Sequence, residues 1–275
     1  MRVFAHVISA ILGAPGAPGA SAEAQVIADP WFYAAAIPAV IILGLSKGGL
    51  TGIGTLATPI VALAVPPVQA ASIVLPILIV QDLYSIYLFR RYWDGFNLKV
   101  LMPGGVIGVL VGYLLAAHLS DRAVAFAVGV ISIIFGFRQL LLKQTGPPPA
   151  KRPSVAAGWF WGAMSGFTSM ISHAGSPPFQ IYVTPQRLDS RVFVGTNVLF
   201  FAALNWMKVP PYIALGQITR SNLTTATVLF PLALLSTWFG ALVVRSISSE
   251  RFYVVMYWLM VVIGLKLVWD GVVGS

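Results

Sequence analysis

After residue 30 the chain is a succession of apolar runs separated by short polar interruptions. The runs fall into two sets of five. The first set is 31–46, 50–65, 68–90, 98–118 and 122–142; the second is 155–171, 176–184, 190–208, 222–245 and 251–270. Most approach the roughly 20 residues that a helix needs to cross a bilayer. Two stretches stand apart because hydroxyls, glycines and prolines crowd into apolar surroundings: Ser46-Lys-Gly-Gly-Leu-Thr-Gly-Ile-Gly-Thr-Leu-Ala-Thr-Pro59 and Ser165-Gly-Phe-Thr-Ser-Met-Ile-Ser-His-Ala-Gly-Ser-Pro-Pro178. Glycine and proline interrupt helices. In lipid, interrupted backbone persists only where protein buries it or where it lines a cavity. The pattern therefore predicts two helix breaks at membrane depth.

The two sets read as repeats. An offset of 119 (165 − 46) pairs Ser46 with Ser165, Pro59 with Pro178 and Pro66 with Pro185. Further on, an offset of 128 (231 − 103) pairs Pro103 with Pro231, Gly112 with Gly240 and Gly136 with Gly264. Basic loops set orientation. Arg90, Arg91 and Lys99, then Arg138, Lys143, Lys151 and Arg152, then Arg187 and Arg191, and finally Arg245 and Arg251 are all expected on the cytoplasmic side, with Lys208 and Arg220 as exceptions left on or near the outer side. The first half then starts outside and the second inside. The expected fold is an all-α polytopic membrane protein. It has two inverted repeats of about five hydrophobic segments each, with broken or re-entrant helices at the pseudo-symmetric centre. Ten spans, six spans plus two hairpins, or eight spans all satisfy the pattern. The chain divides into an N-terminal segment 1–30, a first repeat 31–142, a cytoplasmic linker 143–154 and a second repeat 155–275. Within the first segment, Arg2, the apolar run Val3–Leu12 and Ser21-Ala-Glu-Ala24 resemble a signal peptide; a disordered or interfacial terminus is the competing reading.

Composition narrows the chemistry. Of 275 residues, 58% are hydrophobic and 9% charged, against about 25% charged in soluble domains. The net charge of +9 sits in loops beside apolar spans, which points to membrane topology and away from nucleic acid. With no cysteine, disulfides and thiolate chemistry are excluded. His6, His118 and His173 have no metal-ligand spacing. A phosphate-binding loop, a nucleophile triad and paired carboxylates within one segment are all missing from the sequence. Neither a cofactor nor a metal is expected, and enzymatic activity is not expected.

The candidate site residues come from the two breaks and their polar neighbours. A lysine in a membrane segment is costly and marks function, so Lys47 is read as a cationic anchor; snorkelling from a hairpin tip competes. Gly48 and Gly49 would let an anion approach backbone N–H groups. Thr51, Thr55, Ser169, Ser172, Gly175 and Ser176 could coordinate an oxyanion, although hydroxyls also serve helix packing. His173 could donate to the anion or carry a proton, or be a buried neutral ring. Asp82 could relay protons, pair with Lys47 or support a backbone break. Asn197 and Asn205 lie eight residues apart, on one helix face, and either bind substrate or pack helices.

Laid out this way, the sequence resembles the TauE/SafE family of sulfite exporters and probable membrane transporters. The residues that carry the resemblance in the first half are Gly44-Leu-Ser-Lys-Gly-Gly49, Ala57-Thr-Pro59, Pro66-Pro-Val-Gln-Ala-Ala71, Leu75-Pro76 and Asp82. In the second half they are Ser172-His-Ala-Gly-Ser-Pro-Pro178, Pro185-Gln-Arg-Leu-Asp189, Gly195-Thr-Asn197 and Asn205-Trp-Met-Lys208. The resemblance covers about 31–272 and departs at Ser176, where the family pattern often has a second glycine. It implies export of a small, often sulfur-containing anion across the bacterial inner membrane. The expected partners are that anion and the bilayer, with a homo-oligomer left open. The expected mechanism is a carrier in which half-helix N-termini, Lys47, hydroxyls and His173 hold the anion near the midplane. A channel-like pore is the alternative, and a non-transporting assembly protein a more distant one.

Overall fold

A computed structural model describes residues 26–115, 121–144, 150–214, 216 and 218–273, all helical or in short connections. The signal-peptide-like segment up to residue 25 lies outside the described residues, as do His6 and His118. The helices are α1 (Pro30–Gly48), a 3-10 turn (Ile53–Leu56) leading into α2 (Ala57–Val61), α3 (Pro67–Phe89), α4 (Gly95–Leu115) and α5 (Asp121–Gln144). After the linker come α6 (Val155–Ser172), α7 (Ser176–Val183) with a 3-10 turn (Thr184–Gln186), α8 (Ser190–Ala214), α9 (Arg220–Ser246) and α10 (Ser249–Val273). Their starts follow local chemistry. Asp29 accepts the Trp31 N–H at 2.9 Å, Asp94 the Asn97 N–H at 2.7 Å and Thr219 the Asn222 N–H at 3.2 Å. These acceptors satisfy donors that the first turn leaves open.

Six helices among the described residues are long and apolar enough to cross a membrane: Pro30–Gly48, Gln69–Phe89, Gly95–Leu115, Ser190–Ala214, Arg220–Ser246 and Glu250–Val273. The fourth segment of the first set begins three residues earlier than the pattern suggests, and α8 runs past residue 208 through Pro210 and Pro211 to Ala214. The reading of ten helical spans fails at the second segment of each half. The apolar run 50–65 contains only a 3-10 turn and a five-residue helix, and α7 has eight residues. At 1.5 Å per residue these cover about 8 and 12 Å, far short of a bilayer core. In the second half the chain folds back on itself. The Lys151 N–H donates to the Pro185 carbonyl (3.0 Å) and the Tyr182 hydroxyl to the Ser154 carbonyl (3.1 Å), so α6 and α7 share one foot. In the first half, Phe32 near the start of α1 and Val61 at the end of α2 belong to one apolar cluster.

The helix pairings map onto themselves when the halves are exchanged. α1 runs parallel to α9: the Ile27 N–H donates to Thr225 Oγ1, Ser236 Oγ donates to the Val40 carbonyl, and Gly48 lies on Thr237 and Gly240. α6 runs parallel to α4 in the same way, with Gly158 on Val100, Gly166 on Gly105 and Met170 on Gly112. The third helices of the halves, α3 and α8, are antiparallel, since Asp82 meets Asn205 while Phe89 and Tyr92 meet Gly195. The fifth helices, α5 and α10, are antiparallel too, with Gly129 on Gly264 and Phe126 beside Gly271. Hydrogen bonds and ring contacts also gather the basic loops at one end. Arg191 lies over the Tyr92 ring, Lys151 joins Pro185, and the Tyr253 hydroxyl donates to the Leu188 carbonyl beside Arg187.

Candidate functional site

Both predicted breaks exist, and their tips meet at one pocket. α1 stops because Gly49 (φ 151°) and Gly52 (φ 108°) take conformations that side chains resist. α6 stops at His173, which sits in the left-handed region at φ 56°. Its peptide N–H returns to the Ser169 carbonyl at 3.3 Å, and the Ala174 N–H to the Thr168 carbonyl at 3.2 Å. A left-handed histidine costs on the order of 1 kcal/mol relative to glycine, so the surroundings hold it there.

The first hairpin contributes Ser46, Lys47, Gly54 and Thr55 to the pocket wall, and the second contributes Ser169, His173 and Ser176. α8 closes the wall with Asn197, Phe201, Asn205 and Lys208, and Leu43 and Leu78 complete it. The free space, counting the open mouth, is about 460 Å³.

Charge dominates this pocket. Lys47, in the last turn of α1, places Nζ 2.5 Å from Asp82 Oδ1. The second oxygen of Asp82 accepts Asn205 Nδ2 at 2.6 Å. Asp82 is fully buried and is not part of the wall, so it backs the pocket from behind Lys47 and Asn205. Phe201 adds its ring face, with the centroid 5.8 Å from Lys47 Nζ. Lys208 is also fully buried. Its ammonium donates to the Ser169 carbonyl and to Ser169 Oγ, both at 3.2 Å, and has no carboxylate within salt-bridge distance among the described residues. Each lysine thus sits at the carbonyl end of a hairpin helix, where the dipole favours a cation. Three polar atoms in this wall have no geometrically acceptable hydrogen bond, although burial demands one. They are Asn197 Oδ1 and both ring nitrogens of His173, whose ring has the Ser169 backbone as a polar neighbour.

Of the residues predicted from sequence, Lys47, Thr55, Ser169, His173, Ser176, Asn197 and Asn205 come together in the wall. Four others do not reach it. Gly48 is packed into α9, where a Cβ would collide with the Thr237 carbonyl oxygen. Gly49 faces Val244. Thr51 turns away, its hydroxyl on Met256 Sδ at 3.2 Å and its carbonyl accepting Gln180 Nε2 at 2.9 Å. Gly175 is enclosed by Phe201 and Ser169, and its carbonyl accepts Ser165 Oγ at 2.6 Å. Gly48 and Gly49 were expected to open backbone N–H groups to an anion, and Thr51 and Gly175 to coordinate it; all four instead seat the hairpins. The backbone of Ser172 ends α6. The expectation that a helix N-terminus supplies the positive end is corrected for the second hairpin. α7 begins Ser-Pro-Pro, so two of its first three residues have no N–H to offer.

Lys208 was placed near the outer side from its loop context; it is instead a second buried cation of the pocket. Two signals in the sequence pointed to it: it lies three residues after Asn205, on the same helix face, and a lysine inside an apolar run carries the same cost argument applied to Lys47. No group of three or more His, Cys, Asp or Glu that could hold a metal occurs among the described residues.

A multi-pass helical protein whose broken helices meet at a charged internal pocket has the architecture of a membrane transporter. The family comparison agrees: the model of the sulfite exporter TauE/SafE family matches residues 36–267, and the chain belongs to that family. It is a transporter family, which points to transport and away from catalysis. Comparison with curated proteins and with solved structures gave no match.

Proposed function

We propose that this protein is a secondary transporter that exports a small anion of the sulfite or sulfonate type across the bacterial inner membrane. The observation that carries this reading is the pocket between the hairpin tips, where two buried lysines face one carboxylate. Unbalanced buried charge is expensive, and a small anion would balance it. Lys47 and Lys208 would hold the anion's charge. Thr55, Ser169 and Ser176 would offer hydroxyls, while Asn197 and His173 would fill their open hydrogen-bonding positions on its oxygens. The antiparallel α3–α8 and α5–α10 pairs support inverted repeats, with the two hairpins entering from opposite membrane faces, and rocking of one repeat against the other would alternate access. The gathered basic loops mark the cytoplasmic end. A negative-inside potential favours outward movement of an anion by about 2.3 kcal/mol per charge per 100 mV, so efflux needs no coupled proton.

The test is flux from proteoliposomes preloaded with sulfite or methanesulfonate. Saturable flux that is accelerated by anion on the far side, and lost in Lys208→Ala, is the expected result. Flux without saturation or counter-transport would replace the carrier with a pore. Absence of anion flux from folded protein would overturn the reading.

A further inference from the structure

The arrangement behind Lys47 bears on which anions the pocket accepts. Asp82 does not touch the cavity, yet both of its oxygens are committed to residues that do: Oδ1 to Lys47 and Oδ2 to Asn205. Its charge is therefore a fixed part of the electrostatics of the pocket. It is fully buried, so water does little to screen it. The charged groups of the pocket are Lys47, Lys208 and Asp82, with His173 the remaining titratable group of the wall. With the imidazole neutral, these sum to one positive charge at most.

From this count we infer that Asp82 is a specificity-determining residue that tunes the pocket to singly charged anions. The inference rests on the anion-binding reading above and names the charge class within it. A monoanion leaves the occupied site neutral. A dianion of the same shape leaves a net negative charge in a buried site, and a neutral isostere leaves the lysine excess unanswered; both are disfavoured. Asn205 fixes the effect in place. Its amide holds the carboxylate from the opposite repeat, so Asp82 cannot turn away when the pocket fills.

A set of tetrahedral sulfur compounds separates charge from shape: dimethyl sulfone is neutral, methanesulfonate carries one negative charge and sulfate two. Binding of each to the purified full chain, measured by calorimetry, should give methanesulfonate the highest affinity. One unit of charge a few ångströms away at intermediate dielectric is worth at least about tenfold in affinity. In Asp82→Asn, which is nearly isosteric, the sulfate-to-methanesulfonate affinity ratio should rise at least about tenfold; a purely structural role for Asp82 would weaken both ligands alike. Lys208→Gln should lose methanesulfonate by a similar factor, and the preference of the pocket for methanesulfonate over dimethyl sulfone should shrink with it. His173→Gln should leave the charge ranking as in the wild type, which checks that the imidazole is uncharged.

Wild-type protein that binds sulfate as tightly as methanesulfonate would overturn the inference, and so would an unchanged ratio in a folded Asp82→Asn variant. If that variant does not fold, the wild-type ranking and Lys208→Gln still decide it. Failure to bind any of the anions would count against the anion pocket itself, whereas binding without charge discrimination would count only against Asp82.

Discussion

The two hairpins occupy matching places in the two halves but are built from different materials. The first breaks at glycines and returns through a 3-10 turn and a five-residue helix. The second breaks at a histidine and returns through two full turns of α7. α7 is held by aromatic packing: Phe179 stacks on Phe200 at 5.5 Å between centroids and meets Phe193 and Phe201 at 5.8 Å each. Its foot is fastened by Gln186, which exchanges two amide hydrogen bonds with Asn97 at 2.8 and 3.0 Å. At the corresponding foot of the first half, Gln69 donates to Asn222 over a longer 3.3 Å. The two hairpins also differ in where the cation comes from. Hairpin one carries its own lysine, while the last turn of α6 receives Lys208 from α8. In the first half the matching support is neutral, because Ser85 Oγ on α3 donates to the Lys47 carbonyl at 3.3 Å. The two hairpins share a frame, and a few positions, Lys47, Ser85 and Lys208 among them, set the charge asymmetry of the pocket.

The strongest way to break this comparison is Lys47→Met. It leaves Asp82 buried without its cation, which costs about 3–5 kcal/mol. Denaturant unfolding in detergent should show that loss, and the double variant Lys47→Met with Asp82→Asn should recover a large part of it. Next comes Phe179→Ala, which empties the centre of the aromatic cluster and should cost about 3 kcal/mol, with proteolysis sites appearing first in α7. Val61→Ala, on the short return helix of the first hairpin, should cost about 1–2 kcal/mol by the same measurement, because fewer buried atoms are removed. The smallest effects have opposite signs. His173→Gly should raise stability by about 1 kcal/mol by relieving the left-handed conformation, while flux falls with loss of the ring. Gly49→Ala should lower stability by a similar or larger amount, since φ is 151° and Val244 occupies the space.

These contrasts also show how much of the site the residues alone reveal. The breaks were legible because glycine, proline and hydroxyl residues inside apolar sequence interrupt the helix that lipid otherwise enforces. Lys47, His173 and Asn205 were legible because a polar side chain in lipid needs a partner. The roles of Gly48, Gly49, Thr51 and Gly175 were not, because close helix approach and anion approach demand the same small residues; only the position of α9 and Phe201 decides between them. Lys208 was missed for a related reason. Loop context put it on or near the outer side, but that its ammonium turns into the pocket depended on α6, whose Ser169 accepts from it. The length of the second segment in each half was hidden as well, since apolar composition does not distinguish a spanning helix from a short one tucked between others.

The parallel lacing of α1 onto α9 has a consequence for how the chain is made. The bond from Ser236 to the Val40 carbonyl joins residues 196 positions apart. During synthesis α1 reaches the membrane long before its partner exists. Lys47 finds Asp82 after only 35 further residues, so its charge is masked early. The small-residue face of α1, with Gly44 and Gly48, must stay exposed to lipid until α9 is threaded. A nascent chain halted ahead of α9 would hold its lysine safely but leave that face unclaimed, available to chaperones and membrane proteases until α9 closes it.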